Sequence, residues 1–142
     1  MARLEPSVRL AAALLVLGSL PHGASAQTPA SACDRFGGYE LQNCLAGALA
    51  KADKALNAAY QKALAAIAAD ADTPADQKVS WKQNLIAAQR AWLGFRDANC
   101  LFDLIGAEWH FGTGTTAAQQ QCVLTMTQQR TAELLARIPS DG

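Results

Sequence analysis

Hydrophobic residues recur at intervals of three and four along most of the chain, which is the period of an α-helix. Between about Glu40 and Asp72 the apolar stripe consists of small and aliphatic side chains: Leu41, Leu45, Ala48, Ala52, Leu56, Ala59, Ala63 and Ile67. Alanine has the highest intrinsic helix propensity, and its small side chain also lets a neighbouring helix approach closely. The pattern therefore predicts a long, closely packed first helix.

A second helix is predicted from the Thr73-Pro74 boundary to about Ile105. Thr73 can cap it, Pro74 suits the first helical position, and Asp76 suits the positive N-terminal end. We expect its buried stripe to contain the large side chains that the first helix lacks: Trp81, Leu85, Ala88, Trp92, Phe95 and Phe102.

Three glycines interrupt the helical pattern between residues 106 and 116. Thr115 or Thr116 can cap a third helix that continues to Ile138, where Pro139 stops it. We find no β alternation and no internal repeat. Three helices with short connections predict an all-α fold, a three-helix up-down-up bundle.

Residues 1–26 show the features of a secretory signal in the usual order. Positive charge near the start is followed by an apolar run over residues 10–20 and by small residues at 24–26. A membrane anchor is the alternative, but this run is shorter than the roughly 20 residues that a spanning helix needs. We expect cleavage near Ala26, a mature domain of residues 27–142 without a membrane span, and a periplasmic or secreted location.

The charge balance argues against two classes of partner. The sequence has 12 basic and 12 acidic residues, and loss of residues 1–26 leaves the remainder close to neutral. Nucleic acid requires a clear excess of Lys and Arg, so it is not an expected partner. A near-neutral chain also offers no polybasic attraction to a membrane surface.

All four cysteines, Cys33, Cys44, Cys100 and Cys122, follow the predicted signal. An even number in a short exported chain indicates two disulfides. A metal site has little support, because there is no Cys-x-x-Cys and His110 is the one histidine left after cleavage. The bundle gathers all four cysteines at one end, which leaves the pairing open. The shortest closures join Cys33 to Cys44 and Cys100 to Cys122.

A pairing of Cys100 with Cys122 also predicts a contact between the second and third helices. Counting back along one helix and forward along the other places Trp92 opposite Arg130. An arginine stacked on a tryptophan contributes about 0.5–2 kcal/mol, depending on burial. We expect this contact to support the third helix, which is rich in Thr and Gln.

The segment 89–97 (QRAWLGFRD), followed by Cys100, resembles the central motif of the LprI-type lysozyme-inhibitor domain. Other pieces of that pattern follow in order: Leu56-Asn57 ahead of Tyr60 on the first helix, and Arg130 and Leu134 after Cys122. The resemblance covers about residues 33–138. It implies a helical periplasmic or cell-surface domain that inhibits lysozyme.

The candidate partner-binding residues lie in the loop between the last two cysteines. This loop presents Glu108, Trp109, His110 and Phe111. A disulfide at its ends would preorganise the aromatic residues as interface anchors. His110 can then hydrogen-bond one of the carboxyl groups in a lysozyme cleft. The alternative is that Trp109 and Phe111 fold inward and cap the bundle.

Arg96 and Asp97 are a second candidate for partner binding, or else a structural ion pair near the cysteines. The remaining residues of the motif are interpreted as structural: Gln89, Arg90, Trp92, Phe95, Tyr60 and Arg130. Tyr60 is expected to be a packing residue with a bonded hydroxyl group. Gln89 and Arg90 are equally compatible with a solvated surface.

Nothing in the sequence indicates catalysis or a cofactor. We find no nucleophile elbow and no phosphate-binding glycine loop, and no base, nucleophile and oxyanion site assembles. One imidazole beside Glu108 is a poor transition-metal site. We therefore predict a binding protein with lysozyme as its partner. The alternative is a cell-envelope module that binds another exported protein or peptidoglycan, and the oligomeric state stays open.

Overall fold

A computed structural model describes residues 31–112 and 114–138; the predicted signal and the predicted stop at Pro139 lie outside these ranges. The elements are α1 (Gly38–Ala69), α2 (Ala75–Ala98), a π-helical turn (Asn99–Asp103), α3 (Leu104–Trp109) and α4 (Thr115–Ala136). No strand occurs in the described residues. The all-α prediction is confirmed, with α2, the π-helical turn and α3 together forming the second of three rods.

The two long helices α1 and α4 run parallel and form the main packing interface. Near their N-termini, Leu124 of α4 packs with Leu45 and Ala52 of α1. Near their C-termini, Leu134 packs with Leu56 and its neighbours. The predicted stripe of α1 supplies this whole interface, and its alanines allow the close approach.

The buried face of α2, which runs antiparallel to the other two, differs from the predicted one. Four members of the predicted stripe are exposed: Trp81, Ala88, Phe95 and Phe102. The prediction that they lie in the core is therefore wrong. Leu85 is buried, Trp92 is half-buried, and the exposed Trp81 borders a groove beside Ile67 and Ile138, so the stripe faces the bundle only in part.

Polar side chains replace the expected apolar ones on that face. Leu85, Gln89, Trp92 and Arg96 follow one another at helical spacing and all point toward the bundle. Gln89 is buried because Arg130 of α4 donates a hydrogen bond to its side-chain oxygen. Buried polar groups are tolerated only when they find such partners, so the interpretation of Gln89 as solvated surface is also wrong.

The predicted side-chain caps are not formed. Pro74 is the N-cap of α2, and the hydroxyl of Thr73 instead donates to Asp70 at 3.0 Å. Gly114, with a positive φ of 89°, precedes α4, so neither Thr115 nor Thr116 caps it. The N-cap of α2 is thus one residue later than the predicted Thr73, and that of α4 is one residue earlier than Thr115.

The two disulfides join Cys33 to Cys44 and Cys100 to Cys122, which confirms the shortest closures. Their Cα atoms are 5.7 and 5.5 Å apart. One staple holds the start of α1, and the other links the π-helical turn to α4. Both lie at the same end of the bundle, hereafter the disulfide end.

The opposite end of the bundle contains a turn organised by Asp70. Its carboxylate accepts hydrogen bonds from the backbone amide of Asp72 at 2.9 Å and from the hydroxyl of Thr73 at 3.0 Å. The bond from Asp72, followed by that from Thr73, lowers the pKa of Asp70 below its ordinary value of 3.8. The ionised carboxylate therefore stabilises this turn.

We expect Asp70→Asn to reduce the acid sensitivity of the fold. A lowered folded-state pKa contributes stability above the unfolded pKa and loses it as the pH falls through the folded pKa. The free energy of unfolding measured with urea should therefore fall between pH 6 and pH 3, and it should fall by more for wild type than for Asp70→Asn. Asp72→Asn is the control, because the Asp72 carboxylate lies in the same turn and makes no hydrogen bond or ion pair in the described part of the chain. Parallel pH profiles for wild type and Asp70→Asn would contradict the assignment.

Candidate functional site

The short helix α3 ends in a protruding turn that carries the four predicted loop residues. We call residues 108–111 the aromatic tip. Glu108 and Trp109 form the last turn of α3, and His110 and Phe111 reverse the chain direction. All four are exposed, with Trp109 42% and Phe111 71% accessible.

The backbone of the aromatic tip has an uncommon conformation. His110 and Phe111 both have positive φ, at 46° and 55°. A helix often ends at a residue in this left-handed region of φ and ψ, but that residue is usually glycine. For any other residue the conformation costs about 1–2 kcal/mol. The carbonyl of Ile105 accepts bonds from both amides, and the amide of Gly112 donates to the carbonyl of Trp109.

Glycines beneath the two large rings explain how the aromatic tip is held. The ring of Trp109 lies over Gly114, and a Cβ there would be 3.2 Å from it. Phe111 covers Gly106 with the same spacing. Both rings therefore pack against the loop itself and keep an exposed face, rather than being buried in the core.

The Cys100–Cys122 disulfide closes the segment that contains the aromatic tip. Cys100 is fully buried within the π-helical turn, and Ile105, which holds the tip by hydrogen bonds, is also buried. Each end of the segment is thus fixed to the bundle. The tip is a preorganised, exposed aromatic surface.

Charge is divided unevenly between the two parts of the molecule. The disulfide end, taken as residues 31–57 and 96–129, has six carboxylates and four basic side chains: Asp34, Glu40, Asp53, Asp97, Asp103 and Glu108, against Arg35, Lys51, Lys54 and Arg96. The remaining described residues have six basic side chains and four carboxylates. The aromatic tip therefore belongs to the acidic part of the chain.

Arg96 and Asp97 are adjacent partners at the end of α2. Their side chains meet at 2.8 Å, and Arg96 also approaches Asp53 of α1 at 3.6 Å and donates to Thr127 of α4 at 3.1 Å. The Arg96 side chain is 13% exposed and that of Asp97 49%. Arg96 thus ties three helices together, while Asp97 keeps one side in solvent.

A second buried network joins α2 and α4 through Arg130. Its Nε donates to Gln89 at 3.0 Å, and its Nη1 meets Glu133 at 3.0 Å. Its guanidinium lies 5.8 Å from the Trp92 ring, as the disulfide register predicts, and that of Arg96 lies 5.4 Å from the same ring. Trp92 is therefore flanked by two cations, of which the sequence indicated one.

An open groove of about 450 Å³ separates α1 from α2 beside these networks. Asn57, Tyr60, Gln89, Arg90 and Arg96 line it, so distant pieces of the sequence motif meet there. Asp53 completes the groove and was not indicated by the sequence. Its position one turn before Asn57 is the only signal that could have suggested it.

No hydrogen bond or ion pair in the described residues joins the aromatic tip to Arg96 or Asp97. Across residues 31–112 and 114–138, no group of three or more His, Cys, Asp or Glu side chains could hold a metal ion. None of the helices in these ranges is long and apolar enough to cross a membrane. The exposed groups of the aromatic tip are two aromatic rings, an imidazole and a carboxylate.

Comparison with known proteins gives one family match and one relative. A family model described as "Lysozyme inhibitor LprI" matches residues 33–134. The chain is 33% identical over 115 residues to an uncharacterized protein of Rhizobium meliloti (strain 1021). The matched region covers 78% of this chain and 81% of the relative. No solved structure matches the chain.

Proposed function

The chain belongs to the LprI lysozyme inhibitor family, and from this premise we propose that it inhibits lysozyme by inserting its aromatic tip into the substrate cleft. The family match covers nearly the same residues as the motif resemblance and confirms it. Inhibition of this kind is binding without catalysis. It needs no cofactor.

The observation that carries the proposal is the exposed, preorganised tip. Two neighbouring non-glycine residues in the left-handed region are energetically unfavourable, and such strain clusters at functional sites. Rigid aromatic side chains lose little entropy on binding and are frequent interface anchors. Trp109 and Phe111 are rigid and exposed in this way, since each ring packs on a glycine and keeps one face in solvent.

Charge supports a basic lysozyme as the partner. The acidic disulfide end would attract a positively charged protein and orient it toward the aromatic tip. Glu108 lies in the tip itself, and Asp97 extends the acidic surface with its exposed side. Arg96 has a positioning role in this proposal, because its contacts with Asp97 and with the other helices fix the end of α2.

His110 would provide the specific polar contact. His110 is exposed and lies between the two aromatic residues of the tip in the sequence. A lysozyme cleft contains a pair of carboxyl groups flanking the bond to be cut. An imidazole that hydrogen-bonds one of them occupies the position of the substrate and removes a group that catalysis needs.

Titration into a cell-wall clearing assay tests the proposal directly. Oxidised protein comprising residues 27–142 should inhibit a basic lysozyme saturably and with a defined stoichiometry, and added salt should weaken the complex. A reduced and heat-unfolded sample is the control. If no type of lysozyme is inhibited, the proposal is wrong, and binding of peptidoglycan or of another exported protein becomes the function to examine.

A further inference from the structure

The groove between α1 and α2 contains polar groups that the fold leaves unused. Its volume of about 450 Å³ lies within the roughly 300–1,000 Å³ of small-molecule sites. Among the described residues, the side chains of Asn57 and Arg90 make no hydrogen bond or ion pair. Tyr60 packs against the core as expected, but the bond expected for its hydroxyl is absent from the same part of the chain. Three polar groups of the groove are therefore available to a ligand.

Gln89 adds a buried donor to this groove. The residue is 7% exposed and lines the groove. Because Nε of Arg130 can only donate, the oxygen of the Gln89 amide must face it, and this bond fixes the orientation of the amide. The amide nitrogen then has no hydrogen-bond partner within residues 31–112 and 114–138. Buried polar groups are almost always paired with protein, water or a ligand, so Gln89 offers a bound molecule an oriented N–H group.

The charges of the groove favour a ligand with a single negative charge. Arg96 is already balanced, since its guanidinium meets Asp97 at 2.8 Å and Asp53 at 3.6 Å. Asp53 is the one carboxylate among the lining residues. Arg90 forms no ion pair in the described part of the chain, and its planar guanidinium matches a carboxylate with two parallel hydrogen bonds. A doubly charged phosphate would leave one charge uncompensated.

The remaining lining residues suit a short peptide. Leu56, Ile86 and Leu93 give the groove apolar walls, as binding sites for small molecules usually have. The side-chain amides of Asn57 and Gln89 can hydrogen-bond the carbonyl and N–H groups of a peptide link.

We propose that the groove binds the C-terminal end of a short apolar peptide, with its terminal carboxylate on Arg90. A groove of this size takes only a few residues, and a chain end brings a carboxylate and a peptide link close together. The site is separate from the aromatic tip, because none of residues 108–111 lines it.

Titration of the oxidised, isotope-labelled protein with N-acetyl-leucyl-leucine, followed by amide chemical shifts, tests this site. The dipeptide should bind saturably at millimolar concentration or below, with the shifts clustered at residues 53–60 and 86–96. The same dipeptide with an amidated C-terminus should bind at least about tenfold more weakly, because it loses a hydrogen bond between charged groups. Octanoate has a carboxylate and an apolar body but no peptide link, and it should also bind more weakly than the dipeptide.

Variants of Arg90 identify the carboxylate contact. Arg90→Gln should weaken dipeptide binding by about tenfold or more. Arg90→Lys keeps the charge but loses the planar fork, so it should weaken binding less. Arg137→Gln is the matched control, because Arg137 is an exposed arginine that does not line this groove. It should bind like wild type.

Four results would each overturn the peptide site: no saturable binding to wild type, equal binding of the acid and the amide, equal binding of octanoate, or normal binding by Arg90→Gln. Shifts centred on the aromatic tip would do the same. Inhibition of lysozyme is a separate readout. It should survive Arg90→Gln, whereas dipeptide binding should survive Trp109→Ala, so the peptide site and the proposed function can fail independently.

Discussion

Replacing Arg130 by alanine is expected to lower the free energy of unfolding by about 3 kcal/mol. The substitution leaves the side-chain oxygen of Gln89 buried without its donor, which costs about 1–3 kcal/mol. It also removes the stack on Trp92, worth about 0.5–2 kcal/mol, and the packing of the arginine stem. Urea unfolding monitored by circular dichroism measures the loss.

Two further variants separate the causes. Arg90→Ala removes an exposed arginine from the same family motif and should change stability by no more than about 0.5 kcal/mol. The double variant Gln89→Leu/Arg130→Met should recover much of the loss, since replacing both partners by apolar groups of similar shape is nearly neutral. If Arg130→Ala proves as mild as Arg90→Ala, the buried network does not stabilise the fold.

The second large effect is expected at the aromatic tip. Trp109→Ala and Phe111→Ala should each weaken lysozyme inhibition by about 30-fold or more, because a central aromatic anchor is worth about 2 kcal/mol or more. His110→Ala should weaken it by about tenfold through loss of one hydrogen bond to a charged group. The inhibition constant from the clearing assay is the quantity to compare.

The tip variants require proof that they remain folded. Phe111 is largely exposed, Trp109 is 42% exposed, and neither belongs to a core cluster, so circular dichroism and the unfolding midpoint should stay close to wild type. Val79→Ala, which removes an exposed apolar side chain far from the tip, should inhibit normally. Full inhibition by a folded Trp109→Ala/Phe111→Ala variant would exclude the tip as the lysozyme-binding surface.

The sequence predicted α1 well because its whole interface is apolar. Leu45, Leu56 and Ile67 face α4 at the period that the pattern shows, and no polar group competes for the face. The antiparallel order of the helices brought the four cysteines to one end and left their pairing open, and the shortest closures are the observed pairs. These features depend on one stripe and one topology, both of which are visible in a single chain.

The orientation of α2 could not be found in this way. Its buried face is chosen by Gln89 and Arg96, whose partners Arg130, Thr127 and Asp53 come from two other helices. A hydrophobic pattern counts such residues as surface. The pairing that makes their burial favourable appears only once three helices have been placed side by side.

The candidate site was predicted in its residues but not in its shape. The disulfide indicated that residues 108–111 form a constrained loop. Histidine is among the residues enriched in the left-handed region, but nothing in the sequence signals that conformation at Phe111, where glycine or asparagine would be the usual marker. The contacts that hold it come from Gly106, Gly114 and the carbonyl of Ile105.

Placing both staples at one end gives the bundle a gradient of local stability. At the disulfide end, any opening must work against two covalent cross-links, so amide hydrogens of Ile105 and of α4 around Cys122 should exchange slowly. At the far end, the Asp70 turn is held by its own hydrogen bonds, by the last turns of α1 and α4 and by the first turn of α2. Sub-global opening of this protein therefore starts there. The chain can unfold locally at residues 70–75, and a protease can cleave it there, while the aromatic tip keeps its conformation.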